Sequence, residues 1–207
     1  GFEGLKEATS LSILNANYMA KRLEKYYKIL YRRNGLAAHE FIIDCSRFSK
    51  KNPQNKKEYI YKIGAEDIAK RLMDYSFHAP TMSWPVVNTL MVEPTESEPL
   101  SELDRFCDAM IEIRKEIEEV EQENIDINDS PLRNAPHTID VVISDHWNRK
   151  YDRKTAAVNP NKSYWPTVGR VDNEYGDLHK ICACPTVEEL VELQSEADSE
   201  EKVSKTL

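Results

Sequence analysis

The chain has 207 residues, 40% of them hydrophobic, and its 36 acidic against 28 basic side chains give a formal charge of −8. That length and apolar content suffice for a domain with its own core, while the acidic balance argues against non-specific nucleic-acid binding, which needs positive patches. No apolar run approaches the roughly 20 residues that cross a bilayer, and no basic-then-apolar signal peptide opens the chain.

In chain order, Leu11, Leu14, Tyr18, Met19, Leu23, Tyr26, Tyr27 and Leu30 recur at three- and four-residue steps. This spacing predicts an amphipathic helix from Ser10 to Tyr31, stopped by Asn34-Gly35. His39 to Cys45 reads as a strand, and Ser49 to Lys57, rich in lysine and asparagine, as a solvated mobile loop. A second helix is expected from Ala65 to Tyr75, with Ile68, Ala69, Leu72 and Met73 on one face, then a strand at Thr89 to Val92. The most regular helix follows from Ser101, capped by Ser101 with Asp104, with Leu103, Phe106, Cys107, Met110, Ile113, Ile117 and Val120 as its buried stripe. Its charged residues read as a solvated face. Asn124 to Pro136 is turn-rich, Ile139 to Trp147 is a short element, and Val158 to Thr167 is irregular. A last strand at Ile181 to Cys184, a short helix at Val187 to Leu193 and a frayed polar tail complete the chain.

The cysteines, Cys45, Cys107, Cys182 and Cys184, are too few and too scattered for a disulfide scaffold or a zinc site and read as reduced thiols. Cys182 and Cys184 on a strand would point to opposite faces, so at most one is open to redox chemistry. The chain starts at Gly1 without an initiator methionine and Ile13 to Tyr18 reads as the middle of something, so a C-terminal piece of a longer polypeptide is expected.

Two stretches carry the chemistry. His78-Ala79-Pro80-Thr81-Met82-Ser83-Trp84-Pro85 and Glu93-Pro94-Thr95-Glu96-Ser97-Glu98 bracket the apolar run Thr89 to Val92, with more prolines, hydroxyls and carboxylates than packing requires. His78 reads as an imidazole that donates to a carboxylate or phosphate or moves a proton near neutral pH, or else as a cap on the preceding helix. Thr81 and Ser83 offer hydroxyl donors to the same ligand, or form turns. Glu93, Thr95 and Glu96 are candidate supporting groups that orient a cationic partner, whereas Glu98 reads as helix-leading surface charge. Arg170 is a candidate carboxylate fork, with Asp172 as the competing partner. His39 with Glu40, His137, and Asn173 with Tyr175 and Gly176 in a turn read as structural, and none has metal-ligand spacing.

The wording is also familiar. Ile13-Leu14-Asn15-Ala16-Asn17-Tyr18-Met19, Ala38-His39-Glu40-Phe41-Ile42, Asp67 to Tyr75, the two stretches above, Glu102 to Cys107, Asn134 to His137 and Trp165 to Asn173 closely resemble the C-terminal part of the glycine dehydrogenase (decarboxylating) family. These are the pyridoxal-phosphate-dependent P-proteins of the glycine cleavage system. The resemblance implies an α/β fold, the small C-terminal domain of a fold-type I enzyme, with a mostly antiparallel sheet and helices packed on one side. It implies a linking helix over 1–34, a domain over 35–194 and a tail over 195–207. It further implies release of CO2 from glycine and transfer of the aminomethyl group to the lipoyl arm of the H-protein, for which Glu93, Thr95 and Glu96 either orient a cationic partner or line a passage. A homodimer or two-chain complex is expected, located in the mitochondrial matrix of a eukaryote or the cytoplasm of a bacterium. The family's cofactor lysine follows a histidine and precedes a glycine-rich run; His179-Lys180 has no such run, so the lysine is expected outside these residues and the 207 residues alone are expected to be inactive.

The chain departs from the family pattern at Ser76 and Asn88, where glycine is usual at turn-like sites, and in a long basic Ser49 to Tyr61 segment. A reading of another class remains open: a non-catalytic interaction module that docks a partner on the acidic helix Ser101 to Glu123.

Overall fold

The computed structural model describes residues 1–158, 164–179, 185–191 and 194. They fall into two compact units, Gly1–Arg170 and Val171–Leu207. The strand expected at Ile181 to Cys184 and the tail from Ser195 lie outside the described residues, as do Lys180, Cys182 and Cys184.

In the first unit, helix α1 (Phe2–Leu23) precedes strands β1 (Lys28–Leu30), β2 (Phe41–Asp44), β3 (Ser49–Lys51) and β4 (Tyr59–Lys62). Helix α2 (Ala65–Asp74), β5 (Thr81–Met82), β6 (Thr89–Val92) and α3 (Leu100–Glu121) follow. Four strands form one antiparallel sheet in the order β1-β2-β6-β5. Register pairs Ile43 with both Ile29 and Leu90, and Phe41 with Val92, so these five side chains share one face. That face joins Leu23 of α1, Leu72 of α2 and the α3 stripe Leu103 to Val120 in one buried core. The fold is the expected α/β arrangement of an antiparallel sheet carrying helices.

Where an expected element differs, a local cause is visible. The first helix ends at Leu23, and Lys28–Leu30 leaves it as a strand although Tyr26, Tyr27 and Leu30 keep helical spacing. Asn34-Gly35 is a hairpin turn, not a helix stop: both residues have positive φ, 53° and 80°. Arg33 and Leu36 exchange backbone hydrogen bonds of 2.9 and 3.0 Å across it, as an Asn-Gly two-residue turn favours. The Ser49 to Lys57 segment is not a loop throughout, since Ser49–Lys51 is a strand. Lys50 pairs with Tyr61 and Lys51 with Tyr59 in a second, two-stranded sheet, closed by the Asn52 and Asn55 side chains, which accept from Gln54 N and Lys57 N. Tyr59-Ile60-Tyr61 supplies the strand propensity, and the lysines guard two unpaired edges.

The third helix has no side-chain cap. It starts at Leu100 after Pro99, and Asp104, expected to complete a Ser101 box, instead accepts from Tyr18 and Arg22 of α1. Its buried stripe is the expected one, with Ala109 added. Beyond it come a 3-10 turn at Ile127–Asp129 and three short helices, α4 (Pro131–Asn134), α5 (Ile139–Ile143) and α6 (Arg153–Ala157). No described helix is long and apolar enough to cross a membrane.

A buried polar network ties these short helices to α2 and α3. Arg71, 1% exposed, donates Nε to Glu116 Oε2 at 2.9 Å, Nη1 to Asp74 Oδ2 at 2.8 Å and Nη2 to the Thr155 carbonyl at 2.8 Å. Asp74 also accepts from the His137 backbone N at 2.6 Å and lies 2.7 Å from His137 Nδ1. An ionised carboxylate only accepts, so Nδ1 carries a proton toward Asp74, and Nε2 lies 2.6 Å from the Tyr151 hydroxyl. His137 is therefore a packed structural histidine, as expected.

In the second unit, Asn173–Leu178 forms a helix, α7, instead of a turn, with Asp172 accepting from Tyr175 N at its start. Residues 187–191 are helical as expected.

Candidate active-site cleft

Helix α2 ends in a motif that sets the position of His78. Ser76 N donates to the Met73 carbonyl and Phe77 N to the Leu72 carbonyl, at 3.0 and 3.1 Å, while Ser76 takes φ 63°. This is the Schellman pattern, with the left-handed residue at the position where glycine is preferred. The helix is thus closed by its own backbone. His78 follows directly, exposed and without a hydrogen bond among the described residues.

Phe77 is held on two sides. Its ring meets Phe106 edge-on with centroids 5.2 Å apart, and the Arg105 guanidinium lies 3.6 Å from its centroid. Arg105 also donates to the Tyr75 carbonyl at 2.7 Å and to Glu102 Oε2 at 2.9 Å. That hydrogen bond holds the Glu102 carboxyl below the usual range, against the opposing effect of partial burial.

His78 opens onto a cleft of about 340 Å³. Apolar walls come from Met19, Phe77, Val92, Leu103 and Phe106, and the polar groups are His78, Thr81, Glu93, Glu98 and Glu102. Of the site residues expected from sequence, the fold brings His78, Thr81 and Glu93 to this cleft. Glu98, read as helix-leading surface charge, lines it too. Glu102 and Arg105 were hidden in sequence among the charges of a regular helix; the signal that marks them is their i, i+3 spacing at the start of α3.

The remaining candidates sit elsewhere. Ser83 Oγ accepts from Asn88 N at 3.1 Å inside the β5–β6 turn. Thr95 gives its carbonyl to Asn15 Nδ2 at 2.8 Å, and Glu96 Oε2 accepts from Ser12 at 3.3 Å, so both moor the Glu93 to Glu98 loop to α1. Arg170 Nη2 lies 2.8 Å from Asp67 Oδ1, and its Nη1 donates to the carbonyls of Leu132 and Arg133 at 3.1 and 3.2 Å. It is not among the residues that line the cleft. Cys45 and Cys107 are buried free thiols; burial pushes both up to about 12, which leaves them protonated and unreactive near neutral pH.

The motif-bearing core of this chain, residues 8–137, matches the family profile described as glycine dehydrogenase, C-terminal domain. The chain belongs to this family. It is 53% identical over 194 residues to the mitochondrial glycine dehydrogenase (decarboxylating) of Mus musculus and 54% identical over 194 residues to that of Homo sapiens. Each match covers 91% of this chain and 18% of the relative. Against the glycine dehydrogenase (decarboxylating) of Prochlorococcus marinus it is 51% identical over 200 residues, 94% of this chain and 20% of the relative. The chain thus spans about a fifth of the length of the curated relatives it matches.

The family's expected cofactor finds no seat in this cleft alone. An internal imine needs a lysine amine and a bound phosphate needs cations or clustered backbone N–H groups. The lining residues include neither lysine nor arginine, and three carboxylates face the space.

Proposed function

We propose that this chain is the C-terminal part of a glycine dehydrogenase (decarboxylating). In that reading its cleft forms one wall of a site completed by other parts of the enzyme, including the lysine that holds pyridoxal phosphate. The observation that carries this is the convergence of both motif loops: His78 to Thr81, and Glu93, Pro94 and Glu98, reach one cavity of apolar walls and three carboxylates from the same end of the antiparallel pair β5–β6. The cofactor, once bound, supplies the electron sink for loss of CO2 from glycine.

The chain's own residues do the following. Met19, Val92 and Phe106 offer a hydrocarbon-lined track for the lipoyl arm of the H-protein. Glu93 and Glu98 draw the cationic aminomethyl nitrogen toward the cleft, while Glu102 is held by Arg105. The exposed His78 imidazole holds or moves a proton at that nitrogen or at the arm's sulfur. The substrates, the H-protein and an assembly of two or more chains follow from the same reading. So does a mitochondrial location if this chain shares the compartment in the mouse and human names.

The acidic helix gives less support to a docking module. Most acids of α3 already face cations: Glu102 faces Arg105, Glu112 Lys115, and Glu118 and Glu121 Arg114 on the helix itself, while Asp104 and Asp108 face Arg22 and Glu116 faces Arg71.

His78→Ala in the full-length enzyme tests the proposal. Glycine decarboxylation and bicarbonate exchange should fall by about 100-fold, the usual worth of a positioned acid–base group, with an unchanged circular dichroism spectrum. Unchanged kinetics remove His78 from the site.

A further inference from the structure

Arg105 stands on α3 outside the cleft, yet each group it touches belongs to the cleft's construction. The Tyr75 carbonyl to which it donates is an end-of-helix carbonyl of α2, three residues before His78. The Phe77 ring under its guanidinium immediately precedes His78. The Glu102 carboxylate paired with its Nε lines the cavity.

We propose that Arg105 is a positioning residue that locks the His78 loop and the Glu102 carboxylate into one geometry. The proposal rests on the reading of the cleft as part of the reaction site. A single exposed ion pair is worth little, but here one rigid planar group closes three contacts at once. His78 makes no hydrogen bond of its own among the described residues, so the aim of its ring is set by what holds residues 75–77. The Schellman hydrogen bonds fix the turn, but they leave the Tyr75 carbonyl to Arg105. Phe77 is pressed between Arg105 and Phe106, which fixes the exit direction of the chain toward His78. Lysine carries the charge but lacks the planar fork that stacks on a ring while donating to two acceptors. Arg105→Lys therefore keeps part of the clamp and Arg105→Gln keeps none of the charge.

The experiment uses the full-length enzyme with Arg105→Gln, Arg105→Lys, His78→Ala and the double variant His78→Ala/Arg105→Gln. Backbone hydrogen exchange in the peptide covering Ser76 to Met82 should speed up by about tenfold in Arg105→Gln, as expected for a loop that loses its tether, and by less in Arg105→Lys. Decarboxylation should fall by about tenfold in Arg105→Gln, since small misplacement of an acting group carries penalties of this size. In the His78→Ala background the same substitution should change the rate by less than about twofold, because both act through one group. Unchanged exchange overturns the clamp, and so does an equal fall in rate in both backgrounds. Faster exchange with unchanged rates keeps the clamp but overturns the reading of the cleft as part of the reaction site.

Discussion

Two turn residues, Ser76 and Asn88, both adopt left-handed backbone, with φ 63° and 61°, and the structure treats them differently. Ser76 takes the strained Schellman position with only a surface hydrogen bond from its hydroxyl to the Tyr164 carbonyl at 3.1 Å. Asn88 uses its side chain: Oδ1 accepts from Ala65 N at 2.7 Å and so serves as the N-terminal cap that Gly64 lacks. Glycine relieves strain at either position, but only at Asn88 does it remove a cap. Ser76→Gly should therefore raise stability by up to about 1 kcal/mol, and Asn88→Gly should lower it by about as much. Urea midpoints with unchanged slopes would show this. The sequence marks both residues as turn formers; the cap to Ala65 is invisible there because 23 positions separate donor from acceptor.

At the level of elements, α1 works as a mooring post. Asn15 holds the Glu93 to Glu98 loop through the Thr95 carbonyl, and Asn17 grips Ala37 in both directions: Nδ2 donates to its carbonyl at 2.9 Å and Oδ1 accepts from its N–H at 2.8 Å. Asn17→Ala should cost about 1 to 2 kcal/mol through two unpaired backbone groups and loosen the hairpin between β1 and β2, seen as faster exchange at Ala37. Elements with one unambiguous period were legible in sequence: α2, β2, β6 and the α3 stripe. The end of α1 was not, because Tyr26, Tyr27 and Leu30 satisfy a helical period while Asn34-Gly35 equally signals a hairpin, and only pairing with β2 decides between them. The β3–β4 hairpin was missed for a related reason: lysine-rich composition masks Tyr59 and Tyr61 as strand formers.

Across the whole molecule, the cleft draws walls from α1, the α2–β5 connection, β6 and α3. Sequence showed two of its loops, whose composition betrays them, but not Met19, Leu103 or Phe106, which look like ordinary core residues until the helices are packed. The same long reach governs the Arg71 network. The family profile ends at residue 137, yet Arg71 takes a carbonyl from Thr155 and His137 takes the Tyr151 hydroxyl. A chain trimmed at the profile boundary keeps Asp74 and Glu116 on Arg71 but strips the Thr155 carbonyl from its guanidinium and the Tyr151 hydroxyl from His137, a loss of about 1 to 3 kcal/mol for each buried group left unsatisfied. A version ending at 137 should therefore melt well below one ending at 170, as differential scanning calorimetry would record. The natural cutting point for excising this domain lies past Ala157, where the last helix of the network closes, and not where the profile match stops.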